Sequence, residues 1–368
     1  MGLYLIKNDL NIDFVGKRKI AYVLSVLIIA AGILTMVLTG GPKYGIDFAG
    51  GATAQVRFAE PVSDEVLKTS LNGAGLPGLV IQRFGDDSRT YLLRISVGEE
   101  SSSGVTESIA GALRQHMAGK EFEIQRVEMV GPKVGADLRS KALEAMFYAT
   151  LITAIYISGR FEYRWMSATI MAAVLGGGMF ALGAFGVNKV LLVFLALGCT
   201  VVLCWRLKLV FALGAVVSIV HDVLITVGVF AMLGKEFDLT IIAALLTIVG
   251  YSLNDTIIVY DRIRENLRNN EDQPLSVVIN QSINQTLSRT ILTSGTTLMV
   301  ISALLLFGGG IIFDFSLVMF IGVLVGTASS MFVASPILLA MGDDVVSHAH
   351  IGVDERPRDT DGRVAGQV

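Results

Sequence analysis

The chain has 368 residues, of which 53% are hydrophobic and 17% are charged, and its formal net charge is −3. Soluble domains carry about 25% charged residues. Because the apolar residues of this chain are gathered into long runs, the composition excludes a soluble globular protein and indicates a membrane protein. The net charge says little about partners, and we expect no nucleic-acid partner.

Eight apolar runs have, or nearly have, the length that a transmembrane helix requires, which is about 20 residues with a range of roughly 17–25. They cover residues 20–40, 142–159, 166–186, 190–205, 209–233, 239–260, 289–309 and 313–341. The run at 190–205 is slightly short, and the run at 313–341 is long enough to tilt or to break near Pro336. The first run exceeds the roughly 7–15 apolar residues of a signal peptide, so we interpret it as a retained first helix.

Basic residues precede the first run and follow the second, fourth and sixth runs. They are Lys7, Lys17, Arg18, Lys19, Arg160, Arg164, Arg206, Lys208, Arg262, Arg264 and Arg268. The positive-inside rule therefore predicts that both termini lie in the cytoplasm, which requires an even number of spans. The predicted divisions are a cytoplasmic N-terminus at 1–19, a first transmembrane helix at 20–40, an external domain at 41–141, a transmembrane domain at 142–341 and a disordered cytoplasmic tail at 342–368.

The external segment has the pattern of a small α+β domain. Alternating apolar residues predict strands at Thr53–Phe58, Leu79–Phe84, Tyr91–Ile95 and Glu121–Met129, and helices are predicted at 64–73 and 104–118. The order βαββαβ is that of a ferredoxin-like split βαβ unit. Since the segment contains no nucleophile–base pair and no metal-ligand cluster, it is either a protein-contact domain or a passive folded loop.

The segment 261–288 is polar and is predicted to be cytoplasmic. Its first part, Asp261–Leu267, has charges on one helical face and Ile263 and Leu267 on another. This pattern predicts an amphipathic helix that lies in the membrane interface and is broken by Pro274.

Ionisable residues occur inside three of the apolar runs: His221 with Asp222, then Asp255, then Arg289. A charge in the bilayer costs at least about 2.5–3.5 kcal/mol, so such residues are rare and usually functional. They indicate proton or ion handling within the membrane. The alternatives are snorkelling near a helix end for Arg289 and a static buried ion pair for the others.

Several motifs together resemble the SecF family, the smaller subunit of the SecD–SecF complex in the proton-driven RND superfamily. They occur in family order over about residues 40–340 and comprise Tyr44–Gly51, Val130–Gly135, Arg160–Arg164, Ala212–Ala215 with His221-Asp222, Gly250–Thr256, Asp261–Leu267, Asn284–Ser294, Gly326–Ser330 and Ser335-Pro336. The resemblance implies a polytopic α-helical protein, an RND-like half with about eight transmembrane helices here, and one external ferredoxin-like α+β domain. The family normally has six spans, so the pair at 166–205 is extra; it serves either peripheral packing or a partner contact.

The resemblance implies that Asp255 carries protons, with Arg289 beside it and Asp222 as a second relay carboxylate. Side chains near them in sequence are candidates for relay support: His221, Asn254, Thr256, Ser288, Thr290 and Thr293. The glycines around Asp47 (Gly45, Gly50 and Gly51) are predicted to form a backbone turn rather than a phosphate loop. Protons are the expected coupling ion, and neither a cofactor nor a metal is expected.

The resemblance further implies an accessory subunit of the Sec preprotein translocase in the bacterial inner membrane. It would pair with SecD, dock on the SecYEG channel, contact YajC, and use the proton motive force to draw unfolded preprotein outward through the lipid bilayer. The alternatives are half of an RND-type small-molecule transporter and a scaffold that transports nothing. An enzyme is not expected, since the chain has no P-loop, HExxH or GxSxG motif.

Overall fold

The computed structural model describes residues 11–84, 88–96, 102–117, 119–270, 273–342 and 344–346. Its helices are α1 (Phe14–Leu38), α2 (Ile46–Ala49), α3 (Asp64–Leu71), α4 (Ser102–His116), α5 (Pro132–Glu162), α6 (Trp165–Ala184), α7 (Lys189–Arg206), α8 (Val210–Met232), α9 (Leu239–Asn269), α10 (Leu275–Phe307) and α11 (Gly310–Ser329). Among these residues, eight helical segments are long and apolar enough to cross a membrane, namely α1 and α5 to α11 with the extension of α11 to Met341. The eight predicted spans are confirmed.

Several predicted boundaries differ from the structure. Helix α1 begins at Phe14, inside the predicted N-terminal segment 1–19, and α5 begins at Pro132, within the predicted external domain. The polar first turns of these helices carry too few apolar residues to be recognised as membrane runs. Residues 1–10, the hairpin loop at 85–87 and most of the predicted tail, 347–368, lie outside the described residues.

The predicted interfacial helix at Asp261–Leu267 is wrong, because these residues are the last turns of α9. No glycine or proline separates them from the preceding span, so the helix continues. Ile263 and Leu267 are buried against Ile279 and Ile283 of α10. The segment 261–288 is therefore a helical hairpin that extends the membrane bundle, and Pro274 stands directly before the first residue of α10.

The external domain is the predicted ferredoxin-like unit. Its strands, β1 (Gly51–Phe58), β2 (Val80–Arg83), β3 (Thr90–Ile95) and β4 (Phe122–Val130), form an antiparallel sheet in the order β2-β3-β1-β4. The inward-facing residues of β1 and β3 alternate along each strand, as in a sheet with one buried face. They pack on α3 and α4 to make a core that is separate from the membrane core.

The segment Tyr44–Gly51 fastens this domain to the loop between α8 and α9. The backbone N–H of Gly45 donates to the carbonyl of Phe237 at 2.7 Å, and an Asp47 carboxylate oxygen accepts from the N–H of Leu239 at 3.0 Å. Gly50 and Gly51 have φ angles of +76° and +128°, which only glycine adopts without strain. The segment therefore folds as the single helical turn α2 between Gly45 and Gly50, and its Asp47 holds the first residue of α9.

The extra hairpin, α6 and α7, lies at the edge of the bundle. It packs on α5 through a small cluster that includes Phe147, Leu151, Met179 and Leu192. Most of its remaining apolar side chains are exposed. In a membrane protein such a surface faces lipid or another protein.

The hairpin leaves the junction between α5 and α8 intact. Glu162, the last residue of α5, accepts a hydrogen bond from the N–H of Phe211 in the first turn of α8 at 2.7 Å, across 49 positions of sequence. A carboxylate satisfies the unpaired N–H groups of a helix N-terminus and complements its dipole. Arg164 also donates to the carbonyl of Leu207 at 2.6 Å. The chain leaves the bundle after α5, forms the hairpin and returns to the same place.

The end of α11 is irregular, as the sequence predicted near Pro336. Residues Ser330–Ala334 form a π-helical turn that leads into Pro336. Proline lacks an N–H and its ring displaces the carbonyl of residue i−4, so the regular ladder cannot continue through it. Side chains bond two backbone carbonyls of this turn: the Ser335 hydroxyl donates to Ser330 at 2.7 Å and the Tyr260 hydroxyl to Ala334 at 3.1 Å.

Glycines set the closest helix contacts. A Cβ added at Gly32 of α1 would lie 2.4 Å from the Cα of Gly228 on α8, and one added at Gly326 of α11 would lie 3.0 Å from the Cβ of Ser252 on α9. Small residues allow membrane helices to approach each other in this way. The first contact sets the distance between α1 and α8, and the second sets the distance between α9 and α11.

We expect Gly32→Leu to separate α1 from α8, because the new side chain would overlap the backbone of Gly228. Overpacking of this kind costs typically about 1–3 kcal/mol. The measurement is the thermal midpoint of the purified protein in detergent. Gly177→Leu in α6 is the matched control, since a Cβ there meets nothing within 4 Å. Equal midpoints for the two variants would contradict the proposed close contact.

Candidate functional site

Asp222 lies in the middle of α8, 12 residues after Val210 and 10 before Met232. Its carboxylate is buried, with 1% of the residue exposed. One oxygen, Oδ2, accepts hydrogen bonds from Ser252 of α9 at 2.5 Å and from Ser329 of α11 at 2.8 Å. Three helices therefore meet at this carboxylate.

The other oxygen of Asp222 bonds to its neighbour in sequence. Oδ1 lies 2.8 Å from Nδ1 of His221, and Nε2 of the same ring lies 2.8 Å from the hydroxyl of Ser25 on α1. Imidazole has two nitrogens that can each donate or accept, depending on the tautomer. His221 thus connects the buried carboxylate with a fourth helix.

A further hydroxyl extends this network. Ser218, one turn before Asp222 on α8, lies with its hydroxyl 3.0 Å from that of Ser329. Both serines are buried. If Ser218 donates to Ser329, the single proton of Ser329 remains available for Asp222, so that every donor in the group has an acceptor.

Asp255 occupies a second, less saturated site between α9, α10 and α11. It is 1% exposed, and its Oδ2 accepts from the hydroxyl of Ser294 on α10 at 3.0 Å. Ser294 lies 2.8 Å from the hydroxyl of Thr327 on α11. Oδ1 of Asp255 is buried and has no hydrogen-bond partner among the described residues. That oxygen is free to take up a proton or to accept a further hydrogen bond.

Two other buried hydroxyls near Asp255 also have no partner in the described part of the chain. They belong to Tyr251, one turn earlier on α9, and Thr290, one turn before Ser294 on α10. Residues four apart share a helical face. Unsatisfied buried polar groups are uncommon in folded proteins and are often bridged by water. Because α9 and α10 run antiparallel, Tyr251 and Thr290 lie on opposite sides of the Asp255–Ser294 hydrogen bond along the helix axes.

Arg289 does not lie against Asp255 in this structure. Both residues are described, and no ion pair joins them; Arg289 is exposed on the outer face of α10. Asn254 is likewise exposed on α9. The two side chains occupy a surface that would be in contact with lipid if this chain stood alone.

The predicted supporting residues divide into two groups. His221 bonds Asp222 directly, as described above. The hydroxyls of Thr256 and Thr293 bond carbonyls of their own helices, and no hydrogen bond joins Ser288 or Asn254 to either aspartate in the described structure. Asn254 and Thr256 adjoin Asp255 in sequence, and Ser288 and Thr293 lie close to Arg289, but adjacent positions on a helix point 100° apart.

The hydroxyls of the two aspartate networks were missed by sequence reasoning. Ser252, Ser294 and Ser329 bond an aspartate directly, whereas Ser25 bonds His221 and Thr327 bonds Ser294. One signal was available: Ser252 precedes Asp255 by three residues, on the same helical face, and Ser294, Thr327 and Ser329 fall within motifs that were already recognised. Ser25 carried no signal, since it is separated from His221 by 196 positions.

We expect Ser329→Ala to destabilise the protein, because one oxygen of the buried Asp222 loses a donor from α11. The free energy of unfolding should fall by about 1–3 kcal/mol, measured as a lower thermal midpoint of the purified protein. Ser330→Ala is the matched control: Ser330 is also buried but bonds only the carbonyl of Thr327 in its own helix. An equal loss in both variants would show that the bond to Asp222 contributes nothing specific.

Two family models match the chain. Residues 110–190 and 186–344 match the C-terminal region of the SecD/SecF protein export membrane proteins, and residues 36–62 match the SecD/SecF GG motif. The second match contains the turn at Gly50 and Gly51. The first contains both aspartate sites.

Relatives of similar length cover most of the chain. A SecF protein translocase subunit of Thermodesulfovibrio yellowstonii is 38% identical over 90% of this chain and 95% of its own length. One from Vibrio alginolyticus is 37% identical over 92% of each chain. A crystal structure of SecDF from Thermus thermophilus, described as a translocon-associated membrane protein, matches with a TM-score of 0.65 and 31% identity.

The match to that crystal structure covers 93% of this chain and 40% of the solved chain, so the present chain corresponds to less than half of it. The shared part includes the external sheet and the helices that carry Asp222 and Asp255. The chain is a multi-pass membrane protein, and it belongs to the SecF group of the SecD/SecF family of protein export membrane proteins.

Proposed function

We propose that this chain is an accessory subunit of the Sec preprotein translocase that, with SecD, uses the proton motive force to promote protein export. Its relatives are named protein translocase subunits, and the solved SecDF is described as translocon-associated. The role is non-catalytic, and the coupling ion is the proton. Both termini lie in the cytoplasm, and the ferredoxin-like domain faces the periplasm.

The observation that carries the proposal is the pair of buried aspartates in neighbouring membrane helices. Both oxygens of Asp222 have hydrogen-bond partners, whereas Oδ1 of Asp255 has no partner among the described residues. An ionisable group at membrane depth is costly and is retained chiefly for transport or sensing. A carboxyl group with one unoccupied oxygen, surrounded by hydroxyls that can rotate, is suited to binding and releasing a proton.

The energy available is sufficient for a shift of the external domain. A proton that crosses the membrane potential yields about 2.3 kcal/mol per 100 mV. The structure offers a direct mechanical route, because α9 carries Ser252 and Asp255 and its first residue is held by Asp47 of the glycine-rich turn. A change in protonation that moves α9 would therefore also move the turn at Asp47, to which the external domain is attached.

A second contact continues this route. Arg94, on strand β3, pairs with Glu236 in the loop between α8 and α9 at 2.5 Å and donates to the carbonyl of Tyr44 at 2.7 Å. The sheet is thus linked both to the turn and to the membrane loop. The domain would handle unfolded preprotein that leaves the SecYEG channel, and YajC is a possible further contact.

The place for SecD is the surface formed by α9 and α10. Two polar side chains, Asn254 and Arg289, are exposed there at membrane depth, beside Thr247 and Thr296, whose hydroxyls bond carbonyls of their own helices. A charge or an amide at this depth needs protein or water rather than lipid. The solved SecDF chain is more than twice as long as the part that this chain matches, which leaves room for a partner half.

Asp255→Asn tests proton coupling. We expect preprotein export to fall to the level of cells that lack this chain, because an amide cannot take up and release the proton. Membrane level and co-purification with SecD should be unchanged. Glu265→Gln is the matched control, since it also neutralises a carboxylate on α9 but at an exposed position paired with Arg262.

The possible outcomes separate the alternatives. Unchanged export in Asp255→Asn would overturn the proposed coupling at this residue. Loss of the complex together with export would favour a scaffold that transports nothing. A third outcome would favour a small-molecule transporter. In that case Asp255→Asn would lower the resistance of the cells to small toxic compounds and leave export unchanged.

A crosslinking experiment tests the partner surface. With the two native cysteines replaced, Asn254→Cys should form a crosslink to a cysteine placed in the membrane helices of SecD, because Asn254 faces the partner. Val174→Cys on α6 is the control, since it is equally exposed but lies on the extra hairpin. Crosslinking from Val174→Cys alone would place SecD on the hairpin instead.

A further inference from the structure

A cleft of about 580 Å³ lies between α1, α8 and the end of α11. Its polar lining includes Arg18, Tyr22 and Ser25 of α1 and His221 of α8, while Val217 and Pro336 are among its apolar lining residues. Arg18, Tyr22 and Ser25 follow at spacings of four and three, so they form one face of α1. The polar groups therefore run in a line from the first turns of α1 to His221.

The cleft is closed at its far end by a backbone contact. Ser25 and His221 are separated by 196 positions, and Gly32 and Gly228 are separated by the same number. Helices α1 and α8 therefore run parallel and in the same register from the Ser25–His221 hydrogen bond to the glycine contact, which is two turns further along. The cleft extends along α1 as far as Ile29, one turn before the glycine contact.

His221 separates the cleft from the buried carboxylate. The His221 side chain is 13% exposed and lines the cleft, whereas the Asp222 side chain is 1% exposed and does not line it. The ring presents Nε2 to Ser25 and Nδ1 to Asp222, each at 2.8 Å. In this arrangement a proton that passes between the cleft and Asp222 crosses the imidazole.

The charged and titratable groups around the ring are few. Those that line the cleft are Arg18 and Tyr22 on α1, and Asp222 contacts the ring from α8. The part of the chain after α11 contributes Val333, Pro336, Ile337, Leu339 and Ala340, none of which is ionisable. Arg18 donates to the carbonyl of Val15, near the start of α1, which places a cation at the terminal end of the cleft.

From these contacts we infer that the cleft is a water-filled half-channel that connects Asp222 with the side of the membrane on which the ends of α1 and α11 lie, with His221 as the proton-transfer group. This inference rests on the proposed proton coupling and adds its exit path. The chemistry that it assigns to the cleft is the passage of protons through water, not the binding of a lipid or a solute.

The transfer is balanced without any further reactant. When Asp222 is protonated, its O–H bond breaks and an N–H bond forms at Nδ1 of His221. The N–H bond at Nε2 then breaks, and the proton passes to water in the cleft, directly or over the hydroxyl of Ser25. A neutral ring remains in the other tautomer, with its proton on Nδ1. The first tautomer is restored when the ring turns Nδ1 toward the cleft, water there takes the Nδ1 proton, and water returns a proton to Nε2. Histidine is the side chain best suited to such a shuttle near neutral pH.

Cysteine labelling tests whether the cleft holds water. In full-length chain with Cys199→Ser and Cys204→Ala, assembled with SecD in membrane vesicles, Ser25→Cys should react with a charged methanethiosulfonate reagent applied from the side of the termini. A thiol ionises and reacts in water but not in lipid. Leu24→Cys is the control, because it lies at the same depth on the 58%-exposed outer face of α1 and should not react. No reaction at Ser25→Cys overturns the half-channel.

Chemical rescue tests the relay. We expect His221→Ala to lose proton-dependent export and added 4-methylimidazole to restore it, because the small base can enter the cleft and replace the missing ring. Asp255→Asn should not be restored. If His221→Ala is absent from the membrane, His221→Gln, which keeps polar contacts, should be present there and lose proton-dependent export.

The two proposals fail in different ways. Full activity of His221→Ala, or of His221→Gln, beside an inactive Asp255→Asn overturns the half-channel and leaves proton coupling intact. Full activity of all these variants overturns both. An inactive but stably inserted His221→Ala that imidazole does not restore assigns the ring a structural role and overturns the relay.

Discussion

The buried carboxylate of Asp222 is the contact on which the arrangement of the membrane helices depends. An ionisable group at the centre of a bundle is tolerated only if other helices supply hydrogen-bond donors. Here α9 supplies Ser252, α11 supplies Ser329 and His221 leads on to α1. Gly326 allows this by bringing α11 against α9 at Ser252. The close packing of α11 on α9 and the hydrogen bonds to Asp222 therefore require the same arrangement of the helices.

Asp255 has fewer hydrogen-bond partners than Asp222 in the described structure, and this difference distinguishes the two sites. Both oxygens of Asp222 have hydrogen-bond partners: Oδ2 accepts from two serines, and Oδ1 lies against Nδ1 of His221. Asp255 has one oxygen without a partner in the described structure and faces α10, whose outer surface bears Arg289. Arg289 and Asn254 are exposed on the outer faces of α10 and α9. The chain matches 40% of the solved SecDF chain.

Helix α9 joins the membrane chemistry to the external domain. Its first residue is held by Asp47, its middle carries Ser252 and Asp255, and its last turns pack on α10. The extra hairpin of α6 and α7, by contrast, is attached where it disturbs none of this. Glu162 bonds the first turn of α8 across the whole insertion, so the core keeps its connection regardless of what the hairpin contacts.

Local sequence determined much of this protein. Runs of apolar residues fixed the eight spans, alternation and turn residues fixed the βαββαβ order of the external domain, and the presence of aspartates within apolar runs identified Asp222 and Asp255. Each of these follows from periodicity within one element, or from the cost of burying a charge. The motifs were also sufficient to indicate the family.

Only the tertiary structure decided which side chains meet the aspartates. Sequence proximity favoured Asn254, Ser288 and Thr293, and the family resemblance favoured Arg289, whereas packing selected Ser252, Ser294 and Ser329 on facing helices. It also placed Ser25 on His221 and left Arg289 on an outer surface. The physical reason is that neighbours along a helix diverge by 100° per residue, while partners across an interface depend on crossing angles and close approach. The close approaches of these helices depend on Gly32, Gly228 and Gly326, whose contact partners lie far away in sequence.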